Sequence, residues 1–147
     1  MANLRVIDVS EHQGTINWDA VKGHIDGAIL RCGYGDNIAS QDDKQWKRNA
    51  DECTRLGIPF GVYIYSYATS DAQARSEAEH VLRLISGYKL SYPIYLDLEQ
   101  AGTETGAIQR ANIFGKRWIL VRSLRQYKLV DKLPCRIGTV CKMGGTV

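Results

Sequence analysis

No stretch of this chain approaches the roughly 18–20 consecutive apolar residues needed to span a bilayer, so membrane insertion is not expected. The N-terminus lacks a charged segment followed by an apolar one, and no signal peptide is expected. There is no Gly-x-Gly-x-x-Gly or Walker loop, which removes the motif support for nucleotide binding, and nucleic acid is not an expected partner. The histidines (His12, His24, His80) are scattered without ligand spacing, so neither a metal nor another cofactor is expected. The four cysteines (Cys32, Cys53, Cys135, Cys141) form neither a close-paired zinc pattern nor a dense disulfide scaffold. Cys32 falls in an apolar strand and Cys53 on the apolar face of a helix, where buried thiols are expected.

What the chain does contain is 147 residues with 44% hydrophobic content, enough to bury one core. Its most informative stretch is Ser91-Tyr92-Pro93-Ile94-Tyr95-Leu96-Asp97-Leu98-Glu99-Gln100. Apolar residues lead into two carboxylates two positions apart. On a β-strand, i and i+2 share a face at about 3.3 Å rise per residue, so Asp97 and Glu99 would stand side by side. Parallel sheets and barrels place reactive groups at the carboxyl ends of strands. Two neighbouring acids do not ionise independently, and one is expected to keep its proton to higher pH. A lone Asp-x-Glu is more often two solvated strand-end acids. The segment Leu4-Arg5-Val6-Ile7-Asp8-Val9-Ser10 reads as a second short strand ending in an acid. Asp8 would either join the other two carboxylates or cap the loop that follows.

Strand and helix alternate along the chain. Asp26–Cys32 reads as a buried strand, followed by a glycine-containing loop. Asn17 is placed to cap a helix beginning at Trp18. Trp46, Ala50 and Cys53 recur at helical spacing, with Gly57 placed to end that helix. Ile58–Tyr67 reads as a third strand, on which Tyr63, Tyr65 and Tyr67 share one face. Ser70 and Gln73 form a capping-box pattern ahead of a stripe of Ala74, Ala78, Val81 and Ile85. Ala107, Ala111, Phe114 and Trp118 suggest a further helix. Such alternation predicts an α/β fold with parallel strands and right-handed crossovers.

Asp8-Val9-Ser10-x-x-Gln13-Gly14, followed in order by Ala28-Ile29-Leu30-Arg31, Gly61–Tyr67 and Tyr95-Leu96-Asp97-Leu98-Glu99, resembles glycoside hydrolase family 25, the lysozyme-type muramidases. The resemblance covers about residues 3–118. It implies a parallel β/α barrel that cleaves the β-1,4 bond between N-acetylmuramic acid and N-acetylglucosamine in bacterial cell-wall peptidoglycan. The expected catalytic residues are Glu99 as general acid, Asp97 orienting the substrate's 2-acetamido group, and Asp8 balancing charge within the cluster. A direct carboxylate nucleophile, Asp8 or Asp97, is the mechanistic rival. Tyr63 and Tyr65 either bind glycan, since a tyrosine offers both an apolar ring face and a hydroxyl, or pack beneath helices; the resemblance favours glycan binding, with Tyr63 nearest the carboxylates.

The charge distribution divides the chain. Residues 115–147 carry eight Lys and Arg against the single acid Asp131, a net of +7; the remaining 11 basic and 15 acidic residues leave −4. The sequence reading therefore gives a partial catalytic domain over 1–118 and a basic tail over 119–147. In the tail no match to the family's later strands or its late active-site aspartate is found. The barrel is accordingly expected to be incomplete at the C-terminus. The alternative to an active muramidase is an inactive relative that binds wall glycan or self-associates into a homo-oligomer through the uncovered edge. Without a leader, the protein is expected to remain cytoplasmic until release and to act at the wall, as an endolysin does.

Overall fold

The apolar segments of the sequence become five short strands: β1 (Val6–Val9), β2 (Gly27–Tyr34), β3 (Phe60–Tyr65), β4 (Ile94–Asp97) and β5 (Trp118–Val121). The computed structural model describes residues 4–103 and 118–121. Every strand pairs in parallel with the next, in the order β1-β2-β3-β4-β5. Such consecutive winding never reverses direction, whereas a doubly wound sheet reverses at a switch point. It is the winding of a β/α barrel wall.

Alternation sorts the side chains onto two faces. Val9, Leu30, Val62, Ile64 and Leu96 pack beneath the helices, in one cluster with Trp46, Ala50, Cys53, Ala74, Ala78 and Val81. The opposite, concave face carries a smaller cluster of Val6, Ile29, Tyr63 and Tyr95, with Tyr92 packed against it. Tyr92 closes the floor of this face because Gly27 and Gly61 leave it room. A Cβ on Gly61 would lie 2.7 Å from the Tyr92 Cβ. Near-continuous burial along β2 is what a parallel strand covered on both faces requires.

The helices follow local signals. Trp18–Val21 forms the single-turn α1, with the Asn17 side chain accepting from the Ala20 N–H as predicted. Trp46–Leu56 is α2, and it ends at Gly57 in the left-handed conformation (φ +67°), where the Gly57 N–H reaches the Cys53 and Thr54 carbonyls. Asp71–Ile85 is α3. The Ser70 hydroxyl accepts from the Gln73 N–H, but the Gln73 carbonyl turns to the Thr69 N–H, one residue earlier than the capping box expects. Cys32 and Cys53 are buried free thiols.

Two details depart from the sequence reading. Trp118, expected on a helix, lies in β5, paired with Ile94 of β4. Trp118-Ile119-Leu120-Val121 is an unbroken apolar run rich in strand-forming residues, and a place beside a central parallel strand outweighs the helical spacing to Phe114. Second, the β2–β3 register shifts between Arg31 and Gly33, inserting Cys32 as an extra residue. Ala107, Ala111, Phe114 and Asp131 lie outside the described residues. Closure of the barrel therefore lies outside them as well.

Candidate active site

The carboxyl ends of β1 to β4 open into one cavity of about 620 Å³. All five residues singled out from the sequence line it: Asp8 from β1, Tyr63 and Tyr65 from β3, Asp97 at the end of β4, and Glu99 two residues beyond. Asp97 is buried, while Asp8 and Glu99 are half-buried. The common location follows from strand parity, since Asp8, Tyr63, Tyr65 and Asp97 all project to the concave face.

Tyr63 stands between two of the acids, its buried phenol within reach of the charges of both Asp8 and Asp97. Burial pushes its pKa well above the ordinary tyrosine value, and the charges of Asp8 and Asp97 push it further, against a smaller opposing effect of Arg31. The phenol therefore stays protonated beside the two carboxylates. The tyrosines grade outward: Tyr63 is buried, Tyr65 half-buried and Tyr67 exposed. Tyr67 packs against Tyr65 at 5.3 Å and edge-on to Tyr34 at 6.3 Å, measured between ring centroids. These rings make an aromatic wall on one side of the cavity.

The cavity also holds a cation that sequence reasoning did not single out. Arg31 is 8% exposed and lies within β2. Its Nε donates to Asp43 Oδ2 at 2.8 Å, one terminal nitrogen donates to Glu11 Oε1 at 2.8 Å, and the other lies 3.3 Å from His12 Nε2. An arginine only donates, so a hydrogen bond between the two is one that His12 Nε2 accepts. Burial alone would lower the Arg31 pKa, but the hydrogen bond and charge of Asp43, with smaller effects of Tyr63 and Glu11, hold it above the usual value. The Asp43 carboxylate accepts three hydrogen bonds in all, the other two from the Glu11 and Gln45 N–H groups. The loop after β1 is thus fastened to β2 by charge. That loop closes in a capping box, where the Ser10 hydroxyl and Gln13 side chain each accept a backbone N–H.

The extra residue at Cys32 explains why Tyr34 faces the cavity. In unbroken alternation, Arg31 and Tyr34 would point to opposite faces. The inserted residue restores Tyr34 to the concave side, and the Arg31 guanidinium lies 5.7 Å from its ring centroid. A sequence signal for Arg31 did exist, since an arginine inside a buried apolar strand must find anionic partners. Nothing local marked those partners as Glu11 and Asp43. Among the described residues no group of three or more His, Cys, Asp or Glu is placed to hold a metal ion. No described helix is long and apolar enough to cross a membrane.

Comparison with known proteins agrees with this geometry. The profile described as glycosyl hydrolases family 25 matches residues 7–122. Among solved structures, the modular autolysin LytC from Streptococcus pneumoniae is 33% identical, with a TM-score of 0.68 over 85% of this chain and 34% of its own. The same autolysin has been solved with a synthetic peptidoglycan ligand. The CTP1L endolysin is 25% identical, with a TM-score of 0.66 over 82% of this chain and 44% of its own. A bacterial lysozyme from Streptomyces coelicolor, 19% identical, shares the fold at a TM-score of 0.66 over 82% of this chain and 63% of its own. The chain thus spans less than two-thirds of each of these proteins. No curated protein gives a significant match. On the extent of the profile match and the parallel β/α fold, the chain belongs to glycosyl hydrolases family 25.

Proposed function

We propose that this chain is a peptidoglycan hydrolase, acting at the bacterial cell wall on the β-1,4 bond between N-acetylmuramic acid and N-acetylglucosamine. The observation that carries this reading is the convergence of Asp8, from the end of β1, with Asp97 and Glu99, from the end of β4, on one cavity beside a tyrosine wall. Family membership and the lysozyme and endolysin neighbours support it.

Glu99, the more exposed of the Asp97–Glu99 pair, is assigned as general acid. It gives its proton to the glycosidic oxygen as the bond to the anomeric carbon breaks, and the bonding electrons leave with that oxygen. Buried Asp97 holds the N–H of the substrate's 2-acetamido group, so that the acetamido carbonyl oxygen attacks the anomeric carbon and forms a cyclic intermediate. Glu99, now ionised, takes a proton from water, which opens that ring and yields a product of retained configuration. Asp8, beside the Tyr63 phenol, contributes negative charge opposite the developing oxocarbenium ion. Tyr63 and Tyr65 line the glycan-binding surface.

The test is the clearing rate of a bacterial cell-wall suspension by wild type and Glu99→Gln. The amide keeps the shape but has no titrating proton. Loss of that proton transfer is worth about 10²–10⁴-fold in rate. Lysis by wild type that persists undiminished in Glu99→Gln would remove Glu99 from the role.

A further inference from the structure

Behind the aromatic wall lies a carboxylate that the chemistry above does not use. Glu77, on α3, is 1% exposed. Its Oε2 accepts from the Ser66 hydroxyl at 2.7 Å; its Oε1 accepts from the Tyr67 N–H at 2.8 Å and the Ala68 N–H at 3.0 Å. A buried carboxylate is costly without such donors, and burial still pushes its pKa above the ordinary value against all three bonds. A neutral helix-facing residue would pack there with no such penalty. The carboxylate therefore has work to do beyond packing.

The groups it holds lie on the turn directly after β3, and that turn has a second attachment. The Ser66 N–H donates to the Asp97 carbonyl at 2.9 Å. One residue thus joins the α3 carboxylate, through its hydroxyl, to the end of β4, through its backbone. From Asp97 the chain runs by way of Leu98 to Glu99. On the other side of Ser66, Tyr65 and Tyr67 line the cavity, and Tyr67 meets both Tyr65 and Tyr34. Ser66 and Ala68 are themselves buried, so the turn cannot exchange these bonds for water without opening.

We propose that Glu77 is a positioning residue for the cavity: through Ser66 it fixes the acid-bearing end of β4, and through the Tyr67 and Ala68 amides it fixes the tyrosine wall. It touches no substrate. Its effect on turnover rests on the proposed hydrolase reading, whereas its effect on the Leu98–Glu99 backbone does not. A displacement of about 1 Å at a reacting group can cost 10²-fold in rate, so the expected signature is a loss in kcat, accompanied by a smaller rise in KM as the tyrosine wall loosens.

The test compares wild type, Glu77→Gln, Glu77→Ala and Ser66→Ala, each first shown to be folded by circular dichroism. Two readouts are taken: kcat and KM on soluble peptidoglycan fragments, and the amide NMR positions of Tyr67, Ala68, Leu98 and Glu99. Glu77→Ala should lower kcat by about 10- to 100-fold, within the loss expected for small misplacements, and should shift the Leu98 and Glu99 amides. Glu77→Gln, which can still accept from both backbone N–H groups, should recover most of both. Ser66→Ala should reproduce the Leu98 and Glu99 shifts while leaving Ala68 less affected. If Glu77→Ala fails to fold, Ser66→Ala decides. Unmoved Leu98 and Glu99 amides in a folded Glu77→Ala or Ser66→Ala overturn the proposal, as does a wild-type kcat in Glu77→Ala. If wild type shows no turnover, the hydrolase reading fails, and the amide shifts alone decide the positioning role.

Discussion

Replacing Arg31 by Met tests the electrostatic frame of the cavity. Met keeps most of the volume and the apolar stem while removing five N–H donors. The Asp43 side chain is 0% exposed and loses its charge partner, but the Glu11 and Gln45 N–H groups still donate to it. Breaking a buried ion pair by deleting one member costs about 3–5 kcal/mol. The two remaining amide donors place the expected loss near the lower end, about 3 kcal/mol. Glu11 adds little, because its side chain is 20% exposed and a solvent-screened pair is worth about 1 kcal/mol at most. The assay is urea unfolding followed by tryptophan fluorescence, which is well suited because Trp18 and Trp46 are buried. The midpoint should fall with an unchanged slope. Asp43→Asn in the same background removes the stranded charge, so the double variant should be more stable than the sum of the single losses by about 1.5 kcal/mol or more. Arg31→Met within about 1 kcal/mol of wild type, or strict additivity in the double variant, would refute the reasoning.

Other perturbations probe separate parts of the structure. Tyr63→Phe removes the buried hydroxyl beside Asp8 and Asp97; wall-lysis rate should fall about tenfold, equivalent to about 1.4 kcal/mol of transition-state stabilisation. Gly33→Ala puts a Cβ 2.8 Å from both the Gln41 carbonyl and the His80 ring, so thermal unfolding should show a loss of about 1–3 kcal/mol. For Asp42, burial raises the pKa, but the hydrogen bonds from Arg83 and His80 outweigh it and the net shift is downward. Its stabilisation is therefore present above the unfolded carboxylate pKa of about 3.9 and is lost as pH falls through the lower folded value. Asp42→Asn should flatten that acid limb of the stability profile. Glu77 has the opposite sign: its raised pKa makes its contribution greatest at low pH and smaller as pH rises through the folded value, so Glu77→Gln should be relatively more stable than wild type at pH 8 than at pH 4. Burial pushes the Cys53 thiol up to about 12 and the Cys32 thiol higher. Peptide mapping after treatment of the native protein with a thiol reagent should find neither modified.

Much of the site was legible because strand parity is a local property. Asp8 before a polar loop, alternating tyrosines on β3 and Asp-x-Glu at the end of β4 each declare a face and an end, and the parallel pairing then brings those ends together. The cap at Asn17 and the stop at Gly57 were legible for the same reason, since each depends on one turn of backbone. The Arg31–Asp43–Glu11 web was not legible. Its members come from β2 and two loops, 12 and 20 residues from the arginine, and loop acids carry no mark of their partner. Tyr34 was hidden by the extra residue at Cys32, which breaks the parity on which the face assignment relies. Glu77 reads in sequence as one more polar position between apolar ones on α3. Only the hydrogen bonds from Ser66, Tyr67 and Ala68, in the segment after β3, account for its inward position. Trp118 was misread because four apolar residues fit either period, and the neighbour strand β4 decides between them.

The most direct test of the proposed chemistry is the identity of the new chain end. Purified cell-wall glycan is digested with the protein, reduced with borodeuteride and analysed by mass spectrometry for the labelled sugar alcohol. Cleavage between N-acetylmuramic acid and N-acetylglucosamine predicts label on N-acetylmuramitol, abolished in the digest with Glu99→Gln. Label on N-acetylglucosaminitol, or no label beyond an undigested control, would contradict it.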